Sequence, residues 1–199
     1  MSRVALGFKP RTGRAVLVVL AGDVRHPEVL EREEIPLLPE GEWAPYHAAK
    51  GLPSKDADRK VKQSIAEARR MATGAIRAVA TRYENAGYEL AGCGVLVGTG
   101  LPDWTTDQIL AVHVRMHKVE GEIFREVLVD GARKCGLEIS TLPDKTALDA
   151  AARTLRITRT RLDANLADIG KAAGAPWGRY QKEAAAAALV VLHDTKEKR

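Results

Sequence analysis

Val4-Ala5-Leu6-Gly7-Phe8-Lys9-Pro10-Arg11-Thr12-Gly13-Arg14-Ala15-Val16-Leu17-Val18-Val19-Leu20 is the stretch that decides the fold. Two apolar runs, Val4–Phe8 and Ala15–Leu20, flank a turn drawn from Lys9 to Arg14. Pro10 brings a fixed φ to that turn, and Gly13 tolerates the positive φ that a hairpin loop needs. The chain therefore opens on a β-hairpin.

Working outward, Pro27–Leu38 has a mixed pattern that suits a third, edge strand, where Pro36 is tolerated. Residues 39–53 carry Pro39, Gly41, Pro45 and Gly51 beside an exposed-looking Trp43-Ala44-Pro45-Tyr46-His47. They read as a long loop, a kind of segment that often carries function. Ser54 is placed to cap a helix whose Val61, Ile65, Ala68, Ala72, Ile76, Val79 and Tyr83 recur at steps of three and four. Asn85-Ala86-Gly87 ends that helix with a residue suited to a left-handed cap. Tyr88–Gly98, rich in small residues, reads as a buried central strand, and Thr99–Trp104 as a turn.

A second long helix is expected over Thr105–Cys135, on the stripe Ile109, Val112, Met116, Val119, Ile123 and Val127. Leu137–Leu142 reads as a fifth strand. Helices follow over Thr146–Leu155, Arg161–Ala173 and Arg179–Leu192, with residues 174–178 a break. This order predicts an α/β fold, a mixed five-stranded sheet that begins as an antiparallel meander and is flanked by long helices. One domain over residues 1–199 accommodates it, with 144–199 a helical C-terminal portion.

Composition is that of a globular chain: 45% hydrophobic and 29% charged residues in 199. No apolar run approaches the roughly 20 residues that span a bilayer, and no signal-peptide core follows Met1. The expectation is a cytoplasmic protein without membrane contact, in which Cys93 and Cys135 are reduced core thiols. The net charge of +5 is unevenly spread. Nine Lys or Arg stand against four acids between Lys50 and Gly87, and Arg153, Arg156, Arg159 and Arg161 form a run without an acid. Such stripes suit a phosphate backbone, and they suit a solvated helix face equally well.

The opening hairpin and the order of elements resemble ribonuclease-H-like proteins, nearest to the RuvC-type Holliday-junction resolvases. In that family the first strand ends Gly-Ile-Asp-Pro-Gly, and its Asp holds catalytic magnesium. Here the matching residues are Gly7, Phe8, Lys9, Pro10 and Arg11, so a Lys takes the carboxylate's position. Leu137–Lys145 is similar to the family strand that ends in Pro and leads to a Lys. Gly178–Leu189 is similar to its last helix, where Glu183 is the carboxylate at hand. The family's second acid would fall near Gly98, which has none.

Two-metal hydrolysis needs several carboxylates converging on the ions. The resemblance therefore implies a nucleic-acid-binding domain, for DNA or RNA, with impaired catalysis. Lys9, Arg11, Arg153, Arg156, Arg159 and Arg161 are the candidate nucleic-acid contacts. The alternative is a magnesium-dependent, structure-selective nuclease that uses displaced ligands, Glu120 and Glu183. A third reading is a scaffold or assembly subunit without cofactor, and a homodimer stays open.

Away from the resemblance, His113, His117 and Glu120 share a helix face at steps of four and three, with Glu122 nearby. Two His at i and i+4 suit zinc, although Val114 stands where the metalloprotease motif has Glu. A polar margin on a packed helix explains the same residues. Gly98-Thr99-Gly100 after a strand resembles a phosphate-binding turn of actin-like ATPases, whose two domains a chain of this length does not supply.

Overall fold

Strand β1 (Arg3–Arg11) turns at Thr12-Gly13 into β2 (Arg14–Gly22), with Gly13 at a φ of 72°. The computed structural model describes residues 2–42 and 44–197, so Trp43 lies outside the described residues. The hairpin is tighter than its sequence implies. Lys9 and Pro10 belong to the strand, paired with Val16 and Ala15. Pro10 fits there because pairing on β1's other side stops at Phe8, leaving its missing N–H without a ladder bond to break.

β3 (Pro27–Pro36) completes the antiparallel meander, and β4 (Glu89–Val97) and β5 (Ile139–Pro143) add in parallel on the far side of β1. The sheet order is β3-β2-β1-β4-β5, a mixed five-stranded sheet with the expected antiparallel meander and with β3 at an edge. Both ends of β3 are Pro, its interior carries Glu28, Glu31, Arg32, Glu33 and Glu34, and Arg32 donates to the carbonyls of Gly174 and Ala175.

Strand parity divides the core. Val4, Leu6 and Phe8 face helices α2 (Ser54–Asn85) and α4 (His113–Lys134). Ala5 lies on the opposite face with Val16, Val18 and Leu20, under α5 (Ala147–Thr154), α6 (Arg159–Ala173) and α7 (Arg179–Glu197). The α2 stripe is buried as expected, apart from the half-buried Ile65. α7 reaches the sheet at backbone distance. A Cβ on Gly7 would overlap the Ala184 carbonyl, and one on Gly94 the Ala187 carbonyl.

Three local expectations are corrected. The loop 39–53 contains a short helix, α1 (Pro45–Ala49). Ser54 is not the cap of α2: Pro53 holds that position, and the Ser54 hydroxyl donates to Asp107 at 2.9 Å. The helix expected over Thr105–Cys135 is two, because α3 (Thr106–Leu110), opened by a Thr105/Gln108 capping box, stops at Ala111. Val112 is then extended (φ −134°) and exposed rather than part of the inward stripe. His113 consequently starts a helix.

Candidate functional site

The parallel strands β1, β4 and β5 end on one side of the sheet, where open α/β sheets place their ligands. Phe8 pairs with Val95, and Val97 with Pro143, so Lys9, Gly98 and Asp144 come together there. Gly7 and Lys9 share the α7 face of β1, and the close Gly7–Ala184 contact brings the first turns of α7 over Lys9.

Lys9 is 7% exposed, and its ammonium is ion-paired with Asp144 and, at 3.1 Å, with Glu183 on α7. Burying an ammonium is tolerable only with such partners. Each carboxylate has a second cation. Arg125 donates to Asp144 at 2.8 Å, and Arg179 to Glu183 at 2.7 Å. Arg125 also meets Glu122 at 3.3 Å. The Glu122 carboxylate lies where a side chain on Gly98 would stand. α4 thereby supplies, from another element, a carboxylate at the end of β4 that the local sequence lacks.

Three cations thus face three carboxylates. Burial raises the Asp144 carboxyl, but Lys9 and Arg125 outweigh it and hold the group below its ordinary value of 3.8. The sign follows from that depression: the stability Asp144 contributes is complete above pH 3.8 and is lost as pH falls through the lower folded value. We expect Arg125→Met to lower stability at neutral pH, with the deficit shrinking as pH is taken down through that range. Denaturant unfolding at a series of pH values measures this; a deficit independent of pH would show that Arg125 acts through packing alone.

The other residues singled out in the sequence are more dispersed. Arg11 pairs with Glu34 at 3.0 Å and stacks over the exposed Tyr180 ring, 4.5 Å from its centroid. Arg153, Arg156, Arg159 and Arg161 are all exposed, and Arg159 is engaged by Asp149 at 2.7 Å and Asp163 at 3.0 Å. On α2, Arg59, Lys62 and Arg70 pair with Asp56, Asp58 and Glu67 of their own helix. Glu120 shares no partner with Glu183. It is 1% exposed and accepts from the backbone N–H groups of Tyr46 and His47 and from the His47 ring. Sequence reasoning passed over Asp144 and left Glu122 at the margin, although Asp144 directly follows the last residue of a parallel strand, the position from which such sheets present functional groups.

No family model matches the chain, and no curated protein matches it. Solved structures do. The structure of Thermus thermophilus RuvC in complex with a Holliday-junction substrate superposes with a TM-score of 0.55, at 13% identity, covering 98% of this chain and 96% of that one. A second Thermus thermophilus RuvC structure gives 0.53 at 12% identity, with the same coverage. The chain has the fold of the RuvC resolvases. At this identity the likeness speaks for the fold, and the chemistry rests on the residues above. Among the described residues no helix is long and apolar enough to cross a membrane.

Proposed function

We propose that this chain binds nucleic acid across the face at the carboxyl ends of β1, β4 and β5, and does not cut it by a two-metal mechanism. The observation that carries the second half is the Lys9 ammonium, buried between Asp144 and Glu183. Divalent ions need carboxylate oxygens free to coordinate. Here a tethered cation occupies them, and Arg125 and Arg179 take up what it leaves. The magnesium implied by the resolvase resemblance does not fit this residue set. Glu120 and Glu183 do not make a displaced site either, because Glu120 is committed to α1.

Support for binding comes from the resolvase fold, whose Thermus thermophilus example is described with its junction, and from the rim of the site. The exposed Tyr180 ring backed by the Arg11 guanidinium is a platform of the kind on which bases stack. Arg153, Arg156 and Arg161 add exposed basic side chains in the helical portion, Arg161 beside Val24, Arg25 and His26 at the other end of the sheet. Affinity for four-way-junction and duplex DNA should fall steeply with salt, and charge reversal at these three Arg and Arg11 should flatten that slope. Tyr180→Ala should weaken binding without changing the slope of affinity against salt. Mobility shifts over a salt series test both, beside cleavage of the same DNA with magnesium and manganese. Absence of any complex with DNA or RNA at low salt would favour the scaffold reading, which the self-paired cations of α2 support. Robust cutting would overturn the non-catalytic half.

A further inference from the structure

Three imidazoles meet at the start of α4, and none of them is a partner of Lys9, Asp144 or Glu183. His113 and His117 are one turn apart at the start of α4, and His47 reaches them from α1. One ring nitrogen from each of the three lies within 4.8 Å of the others, and the Nε2 atoms of His47 and His113 are 3.4 Å apart. A tetrahedral ion with bonds of 2.0–2.1 Å holds its ligand atoms about 3.3 Å from one another. The ring centroids are 4.5 to 5.4 Å apart, so the three stand around a common point rather than in a stack.

Glu120 explains why His47 points there. Helix α1 has no side-chain cap of its own, and the buried Glu120 carboxylate takes its place by accepting from Tyr46 N–H at 2.9 Å and His47 N–H at 3.0 Å. The same carboxylate is 2.7 Å from His47 Nδ1. Because a carboxylate oxygen accepts, Nδ1 carries the proton, which leaves the Nε2 lone pair aimed at His113 and His117. A carboxylate fixing the tautomer of an imidazole whose other nitrogen faces further imidazoles is the arrangement that orients metal ligands.

We propose that His47, His113 and His117 bind a zinc-class divalent cation, with Glu120 as the residue that positions His47. Three imidazoles select a borderline metal such as zinc, cobalt or nickel over magnesium. Among the described residues no fourth Cys, His or carboxylate joins the group, so the fourth position is open to water or a small ligand. Open coordination of this kind accompanies catalytic zinc rather than closed structural sites. A groove of about 510 Å³, lined by Gly41, Glu42, His47, Ala48 and Lys60, gives access beside it. The site ties α1, within the segment 39–53, to α4.

The experiment uses the full chain without a histidine tag. Cobalt is titrated and followed by its visible tetrahedral absorption, and zinc affinity is measured by competition with a chromophoric chelator. One ion per chain is expected. His113→Ala and His117→Ala, both at exposed positions, should each weaken zinc at least as much as loss of an outer-shell partner, which costs about 10–100-fold. His47→Ala should do the same, and Glu120→Gln should weaken it about 10–100-fold. Zinc should also slow hydrogen exchange of the α1 amides in the wild type and not in His113→Ala. An unchanged affinity in His47→Ala would reduce the site to an ordinary pair on one helix and overturn the proposal, as would failure of the wild type to take up cobalt or zinc stoichiometrically. Circular dichroism separates a lost site from a lost fold in the Glu120→Gln chain.

Discussion

Lys9→Met should destabilise the chain by about 3–5 kcal/mol, the range found when one partner of a buried ion pair is removed. The Lys9 and Glu183 side chains are 8% and 5% exposed, so little water is present to take over the lost attraction. Arg125 and Arg179 stay on Asp144 and Glu183, and they moderate the loss without abolishing it. Lys9→Asp is the sharper variant, because it sets a fourth carboxylate among Glu122, Asp144 and Glu183. It should be less stable than Lys9→Met in the presence of a chelator. Millimolar manganese or magnesium should raise its melting temperature, since an ion that binds only the folded form stabilises it. The wild type should show no such response. A manganese-dependent rise in the wild type would mean that the ammonium does not stand in for a metal ion.

Gly7→Val should cost about 4 kcal/mol or more, enough to unfold a marginal domain. The new side chain would fall on the Ala184 carbonyl, a backbone atom that cannot swing aside as a flexible side chain does. α7 would have to lift from β1, opening the face lined by Ala5, Val16, Val18 and the Ala184–Ala188 run. Gly94→Ala should act in the same direction through the Ala187 carbonyl. Gly74→Ala supplies the opposite sign. That glycine is exposed within α2 with open space around it, so a methyl group should stabilise the helix by about 0.5–1 kcal/mol. Denaturant unfolding of the three variants measures the contrast. Equal stabilities for Gly7→Val and the wild type would show that α7 is not seated on the sheet at backbone distance.

Much of the fold was legible because it rests on local periodicity. The two apolar runs of the hairpin and the apolar stripe of α2 are patterns within short stretches of chain, and both shape the sheet and its layers. What escaped was non-periodic or non-local. The apolar spacing from Ile109 to Met116 runs on across Ala111 and Val112, so it conceals a break imposed by the capping of α3 and an extended Val112. In the candidate site, Lys9 in place of a carboxylate and Glu183 on the last helix were readable as single positions. Their pairing was not, because it depends on β1 and α7 meeting at Gly7. Glu122 substitutes for an acid at Gly98 from a different element, 24 residues along the chain. Likewise His47 stands 73 residues before Glu120, and nothing in a spacing rule joins them.

The guarded edge at β3 bears on how copies of this chain can associate. A row of unpaired strand amides invites a foreign strand to dock, which is how sheets extend into fibres or dimers. Proline at each end of β3 interrupts that row, four glutamates and an arginine make it charged, and Arg32 holds the residue 174–176 segment against it. The opposite edge, β5, is only five residues long. Growth of the sheet from chain to chain is therefore discouraged at both margins, which leaves helices and loops as the surfaces through which copies of the chain can meet.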